Sequence, residues 1–255
     1  MVFFTDLGEG RFRASEHTTG PWDPSSQHAG PPSALLGRAV EQVDPRPDVM
    51  VARMTVEILG SIPVGELTVS ARMERPGRSV ELVSATLSAG GRDVARASAW
   101  RVRRTEGASV PTRLPQPPPL AQGATQREPE GWVEGYLQAM EWRWVTGFFA
   151  EPGPATVWAR MRCPLVDGEE PTPLQRALVL ADSGNGISAE LDPRQWWFIN
   201  PELSVHLHRE PVGEWVCLDA QTHVSDGGVG LATSVLSDVE GPIGVGAQSL
   251  LVAPR

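Results

Sequence analysis

"PVGE" stands at Pro63–Glu66 and again at Pro211–Glu214 of this 255-residue chain. The surroundings of the two copies match. Upstream, Thr55-Val56 answers Ser204-Val205, and Ile58 answers Leu207 once one residue is dropped from the second approach. Downstream, "LTVSARME" and "WVCLDAQTHV" alternate with the period of two of a half-buried strand. Turn signals follow, "RPGR" at Arg75–Arg78 and "SDGG" at Ser225–Gly228, then alternating runs again in "SVELVSATLS" and "VGLATSVLS". A second pair of turns, "AGGR" and "EGPI", leads into "VARASAWRV" and "IGVGAQSLLV". Three strands and two hairpins recur in the same order 148 positions apart (211 minus 63), so the chain is an internal duplication.

The repeat extends upstream into helices. In "HAGPPSALLGRAVEQVD" two prolines suit a helix start, and Ala34, Leu35, Arg38, Ala39 and Gln42 share a helical face. In "PTPLQRALVLADSGNG" Thr172 suits the N-cap, Pro173 the first turn and Gln175 the returning partner of a capping box. Strand is expected before each helix, in "GRFRAS" and in "YLQAMEWRWV" and "TVWARMR". Between the halves, Thr105–Glu130 is rich in Pro, Gln and Gly and reads as a linker. The expected division is a unit over residues 1–104, a linker over 105–130 and a unit over 131–255. Each unit packs an antiparallel sheet around one apolar helix. Two such units can join edge to edge in one continuous α+β sheet, which would remove exposed edges.

Bulk properties exclude several classes. The net charge of −9 opposes sequence-independent nucleic-acid binding. No apolar run is long enough for a membrane span, and no secretory signal is expected in "MVFFTDLGEGRFRASE". Two cysteines, Cys163 and Cys217, form no framework and suit a reducing cytoplasm. All 22 basic residues are arginine, a bias suited to a GC-rich bacterial genome. His206 and His208 lack a third ligand at a recognisable spacing, so neither metal nor cofactor is expected. "ADSGNG" is not a nucleophile elbow and "GGVG" is not a phosphate loop.

The duplicated helix-and-sheet pattern, with "HAGPPSALLGRA", "LVLADSGNG", "INPELSVHLHR" and "GVGAQSLLV", resembles the TesB-like acyl-CoA thioesterases, which are double hotdogs. The resemblance implies hydrolysis of acyl-CoA and places catalytic roles on Asp182, Asn200 and Gln248. Those residue types suit the chemistry. An aspartate can take a proton from water, and two amides can hold the water and the carboxylate in register. Structural readings exist for each: Asp182 could merely end a helix, and Asn200-Pro201 could merely start a turn. Yet a carboxylate faces the unfavourable end of the dipole at a helix C-terminus, and Gln248 interrupts an apolar strand.

Trp196, Trp197, His28 and Trp100 are expected to contact substrate. Trp142 and Trp144 are expected to pack the core. At the 148-residue offset Trp100 falls opposite Gln248; in the first helix the counterpart of Asp182 falls in "GRAVEQ", near Ala39, where no matching acid is expected. One active site per chain, built from second-half residues, is therefore expected. A homodimer is also expected. The alternatives are a non-catalytic acyl-binding hotdog protein and, further off, an enoyl-CoA hydratase, whose "GDxNPLH"-like segment is only partly matched by "FINPELSVH".

Overall fold

The computed structural model describes residues 1–21, 23–105, 107, 112–126, 135–149 and 151–255. The first half contains β1 (Phe4–Gly8), β2 (Arg11–Ala14), α1 (Gly30–Gln42), β3 (Val49–Ile58), β4 (Glu66–Arg75), β5 (Val80–Ala89) and β6 (Arg92–Arg103). The second contains α2 (Tyr136–Ala139), β7 (Met140–Phe148), β8 (Glu151–Met161), α3 (Pro173–Ala181), α4 (Gly184–Ile187), β9 (Trp196–Ile199), β10 (Glu202–Leu207), β11 (Val216–Val224), β12 (Val229–Asp238) and β13 (Gly241–Pro254). All 13 strands form one sheet in the order β1-β2-β4-β5-β6-β3-β10-β13-β12-β11-β8-β7, with β9 added along β13. It is an α+β double hotdog. Among the described residues, no helix is long and apolar enough to cross a membrane.

The halves meet where β3 and β10 pair antiparallel, with Thr55 opposite Ser204. Their hydroxyl oxygens lie 3.1 Å apart. Joining the halves does not remove the outer edges, contrary to expectation. These are covered by short segments instead: Phe4 bridges to Val166, and Ala124 bridges to Trp144. Ala124 belongs to the Pro-rich segment, which touches the second half here and at Pro118. Pro118 accepts a hydrogen bond from the Trp158 indole at 3.0 Å. The rest of the expected linker, residues 106, 108–111 and 127–130, and the start of the second unit at 131–134 lie outside the described residues.

The two long helices run antiparallel inside the curved sheet. Gly30 of α1 lies against the Val179 carbonyl, while Gly37 faces Leu174 and Leu178, where a Cβ would come within 2.5 Å of a leucine methyl. This sandwiching explains a departure from the expected helix face. Ser33, Leu36, Gly37 and Val40 are buried along with Ala34 and Leu35, whereas Arg38, Ala39 and Gln42 are not. The helix presents one stripe to the sheet and another to its partner. The Thr172 hydroxyl caps α3 by accepting the Gln175 N–H at 3.3 Å. The Gln175 side chain instead donates to Glu41 of α1, also at 3.3 Å. "YLQA", expected as strand, is one turn of helix, and β7 begins only at Met140.

The strand register corrects the repeat offset. Gln248 pairs with Ala232, as Ala99 pairs with Val83. Thr55 answers Ser204 at the β3–β10 junction, so the strands correspond at 149 positions (204 minus 55). The "PVGE" loops alone correspond at 148, because one residue is added between the second loop and β11. A one-residue slip turns a strand side chain to the opposite face. Ala99, not Trp100, is therefore the counterpart of Gln248. Trp100 lies on the outer face, beneath the Arg75 guanidinium, which sits 5.9 Å from its ring centre. Trp100→Gln should leave thioester turnover unchanged in a steady-state assay, and a large loss would mean that this strand has been assigned the wrong face.

Candidate active site

Asp182 follows the last residue of α3, with its side chain 4% exposed. It is at the unfavourable end of its own helix dipole, but its carboxylate reaches across to the start of α1. There it accepts the backbone N–H groups of Ala29 and Gly30. The charge of Asp182 thus lies at the favourable end of the other helix. Gly30 makes this approach possible, since a Cβ there would lie 2.2 Å from the Val179 carbonyl oxygen. The first half accordingly supplies backbone groups to the candidate site, which is not built from second-half residues alone.

Asn200 and Gln248 converge on the same carboxylate. Asn200, in the Asn-Pro link between β9 and β10, donates Nδ2 to Oδ1 of Asp182 at 2.8 Å and to the Glu202 carbonyl at 3.3 Å. Gln248 points inward from β13 in the alternating row Gly246, Gln248, Leu250. Its Nε2 donates to the Asp182 carbonyl at 3.1 Å and to Oδ1 at 3.3 Å. Its Oε1 accepts the Asn185 N–H at 3.0 Å, which fixes the orientation of the amide. Gly184 makes room for it, because a Cβ there would lie 2.8 Å from Oε1.

Burial pushes the Asp182 carboxyl up to about 7, while hydrogen bonds from Asn200, Ala29, Gln248 and Gly30 pull it the other way. An acid so placed can accept a proton near neutral pH. If its carboxylate form is the working form, kcat/KM should rise with pH through about 7 and level off above. A profile already flat below pH 6 would remove Asp182 as the base.

His28 stands just before α1. Its ring stacks on Tyr136, with centroids 3.8 Å apart, and its Nδ1 lies 3.3 Å from Oδ2 of Asp182. Burial holds the imidazole down to about 3, so it is neutral and the contact is not an ion pair. A narrow crevice opens beside it, lined by Tyr136, Leu137, Phe149, Asn185 and Phe198 among others. Trp196 and Trp197 do not line it. Trp196 packs against the small cluster around Phe198 and Leu250. The Trp197 ring lies under the Arg255 guanidinium at 3.7 Å. Alternation along β9 brings Phe198 to the crevice instead. Sequence reading also missed Tyr136, the only tyrosine of the chain, because one turn of helix has no periodic signature. Trp142 and Trp144 are buried in the core, and Trp142 packs edge-on against Tyr136 and Phe149.

At the opposite end of the helix pair an acid does stand, contrary to expectation. Glu41 reaches the start of α3, where it accepts from the Thr172 hydroxyl at 2.9 Å. Burial raises its pKa. No amide pair accompanies it, since Ala99 and Val51 take the places of Gln248 and Asn200. Arg101 occupies the region instead, donating to the Val43 carbonyl at 2.6 Å and to Glu81 at 2.7 Å. Both cysteines are buried, and burial pushes Cys163 up to about 11 and Cys217 to about 12, so neither is a poised nucleophile.

Two family models match this chain: an acyl-CoA thioesterase N-terminal domain over residues 18–102 and an acyl-CoA thioesterase C-terminal domain over residues 111–252. The chain belongs to the acyl-CoA thioesterase family. A search of curated proteins by sequence gave no match. Solved structures share the thioesterase's fold at low sequence identity. A protein described as a thioesterase II from Thermobifida fusca is 18% identical, with a TM-score of 0.77 over 98% of this chain and 95% of its own. A hot dog fold protein from Alicyclobacillus acidocaldarius is 15% identical, with a TM-score of 0.74 over 98% and 95%. The acyl-CoA thioesterase II TesB2 of Mycobacterium marinum is 16% identical, with a TM-score of 0.66 over 99% and 96%.

Proposed function

We propose that this thioesterase hydrolyses acyl-CoA by direct attack of a water held beside Asp182, Asn200 and Gln248, at one site per chain. The observation that supports this reading is the convergence of two amide side chains from separate elements on one buried carboxylate. Asp182 accepts a proton as the water oxygen bonds to the thioester carbon. The tetrahedral adduct then collapses with cleavage of the carbon–sulfur bond, and the proton passes from Asp182 to the leaving CoA thiolate. Water is thereby divided between the acid and CoA thiol. The amides of Asn200 and Gln248 hold the carboxylate in one orientation, which keeps the water aligned for attack. The apolar crevice of Leu137, Phe149 and Phe198 would take the acyl chain near its carbonyl.

Release of free thiol from a panel of acyl-CoA esters tests the reading. Turnover of at least one chain length that is lost in Asp182→Asn is the expected result. Binding of acyl-CoA without thiol release from any of them would favour an acyl-binding role instead.

A further inference from the structure

The geometry points to His28 Nε2–H as the donor that binds the thioester oxygen as negative charge develops on it. This assignment rests on the hydrolytic reading above and adds to it the group that the amide pair and the carboxylate leave unfilled.

Water attack on a thioester places charge on the carbonyl oxygen, and a fixed donor aimed at that oxygen is commonly the largest stabilising contribution. Backbone N–H groups at a helix start are the usual suppliers. Three of them here are already engaged: Ala29 and Gly30 with Asp182, Gly30 also with His28, and Asn185 with Gln248. His28 has what they lack. Its Nδ1 accepts the Gly30 N–H at 3.1 Å, so Nδ1 carries the lone pair and the ring proton resides on Nε2. No described residue bonds Nε2. His28 lines the crevice, beside the carboxylate that would hold the water.

The ring is also held rigidly, as a preorganised donor must be. It stacks face to face on Tyr136 with an interplanar angle of 8°. The Tyr136 hydroxyl donates to the Val179 carbonyl at 2.9 Å and is 2.8 Å from the Ser183 hydroxyl. The backbone N–H groups of His28 and Tyr136 are bonded to adjacent carbonyls, Thr18 at 2.8 Å and Thr19 at 3.0 Å. One loop therefore fixes both halves of the stack. The titratable groups that face the ring are Asp182 and Tyr136, and burial keeps the Tyr136 phenol protonated. A neutral imidazole is an effective electrophile because it donates without first losing a proton to solvent.

The test compares His28→Phe, which keeps the stacked shape without a donor, and His28→Gln, which places an amide N–H near the Nε2 position. Melting curves establish that each is folded. His28→Phe should lower kcat roughly a hundredfold or more with little change in KM, and His28→Gln should recover about tenfold of that loss. The acid limb of the pH–rate profile, set by Asp182, should stay in place in both. Retention of kcat by a folded His28→Phe overturns the assignment, as does His28→Gln being no better than His28→Phe. Loss of the acid limb in the His28 variants also overturns it and makes His28 the base. Asp182→Asn run in parallel separates the two readings. If Asp182→Asn remains active, the hydrolytic site itself is wrong. If only the His28 variants remain active, the oxyanion assignment alone fails.

Discussion

Asp182→Asn should lower kcat for acyl-CoA hydrolysis by about two orders of magnitude or more, the scale of a positioned general base. The substitution is nearly isosteric but replaces an acceptor-only group with one that also donates. In the native site Asp182 accepts from Asn200, Gln248, Ala29 and Gly30. The variant can neither take the water's proton nor satisfy all four. A second measurement reports on the carboxylate independently of turnover. The Asp182 pKa is raised in the folded state to about 7 from the ordinary carboxylate range. Between those values the folded state binds more protons than the unfolded one, so stability falls as pH rises through this window. The contribution of Asp182 is on the order of a few kcal/mol. Asp182→Asn should remove that share of the slope, leaving the part due to Glu41. A variant that keeps a tenth or more of wild-type kcat would refute the base assignment.

Gln248→Ala should also lower kcat by about two orders of magnitude, through loss of alignment. Its Nε2 holds both the carbonyl and the carboxylate of Asp182, while its Oε1 anchors α4 through Asn185. Removing it frees the Asp182 side chain to rotate and leaves the buried Asn185 N–H without an acceptor. The second effect destabilises the protein by about 1–3 kcal/mol. Thermal melts measure this loss, and kcat is then compared per folded molecule well below the melting range. Since the water and the base both remain, the loss should fall on kcat more than on KM. Near-wild-type turnover in the folded variant would show that Gln248 is only a brace for α4.

Several features of this site were visible as local conflicts. An amide in the apolar run of β13 and a carboxylate at a helix C-terminus each break a local rule, and both lie at the site. The fold was visible in the paired hairpins, because strand alternation and turn chemistry are set by neighbouring residues. The face of Trp100 was misjudged because the "PVGE" offset was carried past a one-residue insertion. In a strand, one residue decides inside from outside. Glu41 was overlooked because its role depends on the helix it meets, not the one it occupies.

By itself the sequence determined the duplication, the helix starts, the strand order within each hairpin and the polar residue types available for catalysis. The tertiary structure decided what those residues face. Asp182 lies at the start of α1 only because two helices, distant in the chain, pack antiparallel with Gly30 and Gly37 between them. His28 meets Tyr136 only because one loop binds both backbones. Alternation and caps are short-range effects written in consecutive residues. The charge of a helix end and the stacking of two rings act across gaps that only packing closes.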